Sequence, residues 1–191
     1  METIIINQIT FNKLQVEFHK QMTEVYHCLE LLEDEYPNFK EWYFNKVIIG
    51  IIKGNRSLIL KKVRDEIVAI SILKNDMDEK KISTFRVIEK YQQLGIGSLL
   101  MEESMRVLGT ITPKITVSEI RYHQFVNILK KYDFKLIESV PNYYNENIIE
   151  YSFNGLIEDN IEQAKNKTYI QPSSYQLSSY LHKVINRNVI I

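Results

Sequence analysis

Two glycines, Gly95 and Gly97, lie one residue apart in the segment YQQLGIGSLL, between a β-branched stretch and an amphipathic stretch with helical spacing. Where a strand leads into a helix, the first N–H groups of the helix have no intrahelical acceptor, and the helix dipole adds partial positive charge. Glycine lets the backbone approach a ligand closely and take positive φ angles. With Ser98 in the first turn, the segment predicts a cradle for a phosphate or pyrophosphate.

Two common phosphate-binding motifs are excluded by the residues around this pair. No Gly-Lys-Ser/Thr sequence is present, as a P-loop requires, and position 100, where the dinucleotide fingerprint has its third glycine, is a leucine. A Gly-x-Gly pair alone is weak evidence, and a flexible turn with a helix cap is the alternative interpretation.

Composition narrows the class of protein. The chain has 191 residues, 45% of them hydrophobic, and its 24 Lys plus Arg balance its 24 Asp plus Glu. This is enough for one domain with a core, and a net charge of zero gives no overall attraction to nucleic acid or to an anionic membrane. Cys28 is the only cysteine, so an intrachain disulfide and a Cys-rich metal site are excluded, and no metal is expected. Without a signal peptide or a long apolar run, we expect a cytoplasmic protein with no membrane partner.

The order of the predicted elements indicates a mixed α/β fold. A short first strand precedes a helix from about Asn12 to Leu32. After Pro37 we expect a second helix with one apolar face, formed by Phe39, Tyr43, Val47 and Ile51. Three strands with links too short for helical crossovers then predict an antiparallel meander: SLILKKV, EIVAISILK and KISTFRVI. A helix–strand–helix unit and two last strands, FKLIESV and IIEYSF, complete a domain that we expect to cover residues 1–155.

The segment VIEKYQQLGIGSLLMEE resembles the acetyl-coenzyme A binding motif of the GNAT superfamily of N-acetyltransferases. Val87 matches the valine of that motif, Gln92 matches its Arg or Gln, and Gly95-Ile96-Gly97 match its Gly-Ile-Gly. Glu89 stands where proline is usual, and Gln93 where the first glycine is usual. A second segment, ILKKYDFKLIESV, is similar to the LYEKLGFKLIE of the family, and the element order also matches over about residues 1–155.

The resemblance implies a GNAT acyl-CoA N-acyltransferase fold, an α/β fold with a mixed sheet in which the fourth and fifth strands part and acetyl-CoA lies between them. Pantetheine would run along the fourth strand, where a backbone N–H at Phe85 or Arg86 would stabilise the oxyanion, and the pyrophosphate would lie on the loop from Gln92 to Ser98. The implied cofactor-binding residues are Phe85, Arg86, Val87, Gln92, Gln93, Leu94, Gly95, Ile96, Gly97 and Ser98.

Acetyl transfer also needs an acid and a base. The tyrosine that protonates the leaving thiolate in many family members falls on Leu129 here, so the resemblance favours another tyrosine, and we expect Tyr144 in the last hairpin. Glu119, at the end of the fifth strand, is the expected base. The alternatives are Glu79 and His123 for the base and Tyr122, Tyr132 and Tyr143 for the acid.

Acidic residues at the joint between the first two helices indicate the acceptor site, because in the family this joint lines the acceptor cleft. The sequence Glu33-Asp34-Glu35 would attract a cationic amine, although a solvated helix end is the alternative. The expected substrate-binding residues are Glu33, Glu35, Tyr36 and Tyr143.

Residues 156–191 exceed the fold, and we expect them to form a C-terminal helical extension. An apolar stripe supports this, formed by Leu177, Tyr180, Leu181, Val184 and Ile185. The extension would pack on the domain or on a partner, which includes a second copy of the chain.

The sequence therefore predicts an N-acetyltransferase that transfers acetyl from acetyl-CoA to a primary amine of a small molecule or a protein, by direct attack on the thioester. Nucleic acid is not an expected partner. The alternative is a non-catalytic acyl-CoA-binding or protein-interaction module with the same fold.

Overall fold

The computed structural model describes residues 1–13 and 15–157 of the chain, without the side chains of Gln15 and Val16. Met1–Ile157 form one compact unit. The predicted C-terminal helix lies outside the described residues. Of the helices in the described part, none combines the length and the apolar character that crossing a membrane requires.

Seven strands form a single mixed sheet. They are β1 (Glu2–Ile6), β2 (Arg56–Val63), β3 (Glu66–Asn75), β4 (Lys80–Val87), β5 (Lys114–Ser118), β6 (Leu136–Pro141) and β7 (Ile149–Phe153). The order across the sheet is β1-β2-β3-β4-β5-β7-β6. The predicted meander is confirmed, since β1 to β4 pair antiparallel in sequence order.

The helices cover both faces of this sheet. They are α1 (Gln8–Lys13), α2 (Gln15–Leu29), α3 (Phe39–Trp42), α4 (Ile49–Lys53), α5 (Ile96–Leu108) and α6 (Glu119–Lys131). A π-helical stretch, Tyr43–Ile48, joins α3 to α4, and two 3-10 turns lie at Glu30–Asp34 and Glu89–Tyr91. One buried cluster lies between the sheet and α1 to α4, and a second lies between the sheet and α5 and α6.

The predicted start of the first helix, near Asn12, was wrong. Asn7 caps α1, because its Oδ1 accepts the N–H groups of Ile9 at 2.9 Å and Thr10 at 3.1 Å. The hydroxyl of Thr10 accepts the N–H of Asn7 at 2.7 Å in return. This reciprocal cap fixes the beginning of the helix directly after β1.

The apolar face predicted for the second helix is confirmed. Its four residues are all buried, with exposed fractions of 5% for Phe39 and 0% for Tyr43, Val47 and Ile51. The Tyr43 hydroxyl donates to the carbonyl of Met22 at 2.8 Å, which satisfies its polar group inside the core.

A bulge interrupts β4 at Ser83. Ile72 of β3 pairs with Thr84, whereas its neighbour Leu73 pairs with Ile82, so Ser83 is the extra residue. An extra residue shifts the alternation of side chains. Ile82 and Phe85, three positions apart, therefore contact the same cluster under α5 and α6.

Candidate functional site

A cleft opens between β4 and β5 in the middle of the sheet. These two parallel strands pair only at Lys81 with Lys114 and at Ile82 with Ile115. Each residue of β4 after that point, from Ser83 to Val87, is only partly buried, whereas β3 beside it is buried along most of its length. The backbone of this part of β4 is thus accessible on its β5 side, and its N–H and C=O groups are available to a ligand that lies along the strand.

The loop between β4 and α5 presents consecutive N–H groups at the end of this cleft. Within the described part of the chain, no hydrogen bond is donated by the backbone N–H groups of residues 94–98, and the first bond of α5 runs from Leu99 to the Gly95 carbonyl at 3.3 Å. Gly95 has a φ of +79°, and a Cβ placed there would meet nothing within 4 Å. The loop therefore has the open space and the unbonded N–H groups that an anion cradle of the kind predicted from the glycine pair requires.

Gln92 holds this loop in shape. Its side-chain Nε2 donates to the carbonyl of Val87 at 3.1 Å, and its N–H donates to the carbonyl of Glu89 at 3.0 Å. The Tyr91 hydroxyl donates to Glu66 at 2.8 Å, which ties the same turn to β3. Both hydrogen bonds of Gln92 run to the end of β4 and the turn after it, so this residue fixes the backbone of the loop.

The expected cofactor residues on β4 point to different faces of the sheet. The ring of Phe85 lies 6.0 Å from that of Phe125 in α6. Arg86 lies on the face covered by α2, where burial raises the pKa of Cys28 and the charge of Arg86 partly offsets that rise. Only the backbone edge of these residues faces the cleft as a continuous surface.

Three expected residues, Tyr36, Tyr143 and Tyr144, come together as a cluster of rings. The Tyr36 and Tyr144 centroids are 5.3 Å apart and those of Tyr143 and Tyr144 are 4.5 Å apart, both nearly edge to face. Tyr36 follows the 3-10 turn Glu30–Asp34, whereas the other two lie in the loop between β6 and β7. Burial raises the pKa of Tyr36 and of Tyr144 above the ordinary value for tyrosine, so both remain protonated at neutral pH.

The acidic residues at the joint are bound by the protein itself. Glu35 accepts two hydrogen bonds from Arg121 of α6, one of them from Nε at 2.8 Å. Glu33 accepts a hydrogen bond from the Tyr26 hydroxyl. The negative charge that the sequence offers to a cationic amine is therefore partly neutralised by internal partners, above all at Glu35.

The two carboxylates considered as bases also have internal partners. Glu119 accepts the N–H of Ile149 at 3.0 Å, which ties the start of α6 to the start of β7. Glu79 forms ion pairs with Lys74 and Lys114. Burial alone would raise the pKa of Glu79, but the hydrogen bonds from these two lysines outweigh it and lower the pKa to about 2. A carboxylate so firmly ionised is a poor proton acceptor near neutral pH.

Comparison with known proteins rests on structure. No family model matches the sequence, and no curated protein matches it. An aminoglycoside 6'-N-acetyltransferase in complex with coenzyme A superposes with a TM-score of 0.52 at 12% identity, covering 72% of this chain and 93% of that one. The chain has the GNAT fold.

A second GNAT structure, an acetyltransferase from Elizabethkingia anophelis with acetyl-CoA bound, is 19% identical, with a TM-score of 0.49 and coverage of 62% of this chain and 83% of that one. In eight such structures the share of the other chain that is covered ranges from 64% to 93%. The expectation of a GNAT fold, which the two sequence segments and the element order support, is confirmed.

The position at which many GNAT members carry a catalytic tyrosine is closed in this structure. Leu129 occupies it and is only 3% exposed, within the cluster under α5 and α6. The neighbouring Tyr132 directs its hydroxyl to Glu102, at 2.6 Å, and to the carbonyl of Ser98, at 3.3 Å. Leu129 is thus a core residue, and the hydroxyl of Tyr132 is engaged with α5.

Three residues that the sequence analysis missed lie near one another, Glu150, Thr116 and Lys81, and the charge of Glu150 acts on Tyr36 and Tyr144. Glu150 is 3% exposed, and its Oε1 has no hydrogen-bond partner among the described residues. In the sequence, Glu150 is one of several polar residues that alternate with apolar ones in IIEYSF, which is typical of an exposed strand face. The strand order changes this interpretation, because β7 lies between β5 and β6 and is not an edge strand.

Proposed function

We propose that this protein is a coenzyme A-dependent N-acetyltransferase that acts in the cytoplasm and acetylates a primary amine of a small molecule or a protein. The observation that carries the proposal is the opening between β4 and β5 beyond the pair Ile82–Ile115, next to the unbonded N–H groups of residues 94–98. A strand edge and an anion cradle at one end of the same cleft fit a ligand with an amide-containing arm and a pyrophosphate. The structural relatives bound to coenzyme A or acetyl-CoA support this assignment.

The residues that would hold acetyl-CoA are those of the β4 edge and of the following loop. The backbone of Phe85, Arg86 and Val87 would pair with the pantetheine arm, and the segment from Gln92 to Ser98 would bind the pyrophosphate. Bound there, acetyl-CoA supplies a thioester carbonyl that is reactive towards an amine. A backbone N–H near the bulge in β4 is suited to stabilise charge on the carbonyl oxygen.

For the leaving sulfur we propose Tyr144 as the proton donor. Burial raises the pKa of its hydroxyl, and the neighbouring Tyr143 and Glu150 raise it further, so that the group carries its proton at the working pH. For Glu119 we propose a positioning role, because its carboxylate accepts the N–H of Ile149 and so fixes the start of β7. Tyr36 and Tyr143 would line the acceptor side, with Glu35 and Glu33 behind them.

A non-catalytic acyl-CoA-binding module is the second candidate, and one observation favours it. The usual tyrosine position holds the buried Leu129, so the chain lacks a donor at the place where many GNAT members have one. Acetyl transfer to any amine, followed as release of free coenzyme A thiol, separates the two candidates.

Calorimetric titration with acetyl-CoA, with coenzyme A as comparison, tests the proposal directly. We expect saturable binding to the wild type, and loss of more than tenfold in affinity in Gly97→Glu, which adds bulk and negative charge to the first turn of α5. The matched control is Gly97→Ala, because a Cβ at Gly97 meets only Ile128 at 3.6 Å and Val87 at 3.8 Å, which are ordinary contacts. The proposal fails if the folded wild type does not bind, or if Gly97→Glu binds as tightly as Gly97→Ala.

A further inference from the structure

The buried carboxyl group of Glu150 lies close enough to Tyr36 and Tyr144 to raise the pKa of both, and it has no ion-pair partner among the described residues. Glu150 lies on β7 opposite Ser118, the last residue of β5, and 3% of its surface is exposed. Its Oε1 is buried and accepts no hydrogen bond from the described residues. Such an atom costs stability, since a buried polar atom without a partner loses the hydrogen bonds that water would supply.

The surroundings of Glu150 come from four elements. β5 contributes Thr116, whose hydroxyl interacts with the carboxyl group, and β4 contributes Lys81. The segment after the 3-10 turn contributes Tyr36, and the loop between β6 and β7 contributes Tyr144. Among these groups Lys81 is the cation. We refer to Glu150, Thr116, Lys81, Tyr36 and Tyr144 as the Glu150 cluster.

The pKa values of Glu150 and Lys81 are both shifted towards neutral pH. Burial raises the pKa of Glu150 to about 7, and the Thr116 hydrogen bond and the charge of Lys81 limit the rise. Burial lowers the pKa of Lys81 to about 8, although the charges of Glu79 and Glu150 oppose that change. Structural carboxylates elsewhere in the protein behave differently, as Glu79 shows with its two lysine partners.

We propose that Glu150 binds the ammonium group of the acceptor through Oε1 and removes its proton. This rests on the proposed function, because it assigns the acceptor side of the same cleft. The buried, unpartnered oxygen supplies the missing negative partner for one cationic nitrogen, and the rings of Tyr36 and Tyr144 supply the faces and edges that pack around an alkylammonium. Glu33 and Glu35 at the joint have internal partners, which favours an amine with a single cationic nitrogen over a polycation.

In the proposed reaction the acceptor nitrogen loses two protons, one to Glu150 and one to the leaving sulfur. Glu150 takes one proton from the ammonium, and the lone pair left on the nitrogen forms the new C–N bond at the acetyl carbonyl carbon. The C–S bond breaks with its electron pair on sulfur, and the sulfur receives the second nitrogen proton by way of the Tyr144 hydroxyl. Glu150 then returns its proton to water. A carboxyl group that titrates near neutrality suits this task better than one that is always ionised.

The experiment uses the full chain and benzylamine as the probe, with benzyl alcohol as its uncharged analogue. The variants are Glu150→Gln, Glu119→Gln and Glu146→Gln. Glu146 lies exposed in the loop between β6 and β7, so its variant removes the same charge close by without touching the cluster. Glu119→Gln tests the base that the sequence favoured. Carbon-13 NMR of the glutamate carboxyl groups and acetyl transfer to benzylamine are both followed between pH 5 and pH 9.

In the wild type we expect one glutamate resonance that titrates near pH 7. This resonance should be missing from the spectrum of Glu150→Gln. In the wild type it should move on addition of benzylamine but not of benzyl alcohol. We expect kcat/KM for benzylamine to fall by about 100-fold or more in Glu150→Gln and by less than threefold in Glu146→Gln. The wild-type rate should level off above pH 7, whereas the residual rate of Glu150→Gln should keep rising with pH as the amine deprotonates in solution.

A Glu150 carboxyl that titrates near 4.5, no response of its resonance to benzylamine, or a larger loss in Glu119→Gln than in Glu150→Gln would each overturn the assignment. Calorimetry with acetyl-CoA keeps the two proposals apart. If Glu150→Gln binds acetyl-CoA like the wild type but transfers equally well, the inference fails and the acetyltransferase proposal stands. If the wild type does not bind acetyl-CoA, the acetyltransferase proposal fails whatever the pKa of Glu150.

Discussion

Glu150 shows how one residue can trade stability for reactivity. Its carboxyl has a pKa of about 7 in the fold, against an ordinary value of 4.5. Between these two values the folded state holds a proton that the unfolded state releases, so the free energy of unfolding falls as pH rises through this window. Above pH 7 both states are ionised, and the destabilisation has reached its full size.

Glu150→Gln should therefore be more stable than the wild type at pH 8 and nearly equal to it at pH 4.5. The gain should be about 2 kcal/mol, less than the full pKa shift would allow, because the neutral amide leaves Lys81 without a neighbouring negative charge. Urea denaturation of both proteins at the two pH values measures it, with Glu146→Gln as the reference. An equal gain at both pH values would mean that Glu150 does not titrate within the window.

The chemistry of single residues could be predicted from the sequence where it depends on local spacing. The spacing of Gly95 and Gly97 predicts an open loop before a helix, and a strand, a turn and a helix do follow one another here within a dozen residues. Glu150 could not be found in this way, since its burial depends on β7 lying between β5 and β6. A non-local strand order decides whether an alternating strand has a solvated face or a buried one.

At the scale of elements, the acceptor side is held together by contacts between three segments that are distant in the chain. Arg121 of α6 donates two hydrogen bonds to Glu35, and Asn145 of the loop between β6 and β7 donates to the Glu35 carbonyl. The rings of Tyr36 and Tyr144 pack against each other beside these bonds. The segment around Glu35 thus depends on α6 and on the loop for its position.

Arg121→Ala should loosen this arrangement without disturbing the anion cradle. The side chain of Arg121 is 42% exposed and that of Glu35 is 19% exposed. We therefore expect a loss of only about 1 kcal/mol in stability, but a KM for the amine raised several-fold at unchanged acetyl-CoA affinity. Arg121→Lys keeps the charge but loses the paired hydrogen bonds, so its KM for the amine should lie between those of the wild type and Arg121→Ala. Steady-state kinetics measure the KM for the amine, and calorimetry measures the affinity for acetyl-CoA. If acetyl-CoA binding weakens as much as the KM rises, this account is contradicted.

The elements themselves were predictable to different degrees. The meander and the amphipathic helices could be predicted because apolar residues repeat differently along strands and along helices. The positions of β2 to β7 agree closely with the expected ones. The π-helical stretch Tyr43–Ile48 and the bulge at Ser83 leave no such trace, because each shifts the backbone by one residue in answer to tertiary packing. The bulge matters most for function, since it turns Phe85 towards α6 and lies beside the cleft.

In the unit Met1–Ile157, two hydrophobic clusters lie on opposite faces of one sheet, and the cleft lies where β4 and β5 part. The cluster with α1 to α4 supports the side of the sheet proposed for the acceptor, and the cluster with α5 and α6 supports the loop proposed to bind the pyrophosphate. Because β4 and β5 share only two residue pairs, the continuity of the sheet depends on the helices and on β7 at the outer edge of β5. The end of β7 and the residues after it therefore bear on the stability of the entire unit.

Where the domain ends can be tested by truncation. The sequence predicts a boundary at residue 155, whereas the compact unit extends to Ile157. Ile157 is 8% exposed and donates its N–H to Glu138 of β6, and the Leu156 carbonyl accepts a hydrogen bond from Lys114 of β5 at 2.8 Å. These contacts involve β5 and β6, the two strands on either side of β7, so their loss should destabilise this edge of the sheet.

We propose that residues 1–160 contain all that the acetyl-CoA site needs, and that residues 156 and 157 belong to the folded domain. A chain ending at residue 160 should unfold in the same urea range as the full chain and bind acetyl-CoA with equal affinity. A chain ending at residue 155 should lose about 2–3 kcal/mol, from the burial of Ile157 and the two hydrogen bonds. If the chain ending at 160 fails to fold, the later residues are part of the core. If the chain ending at 155 is as stable as the longer one, the boundary lies where the sequence alone puts it.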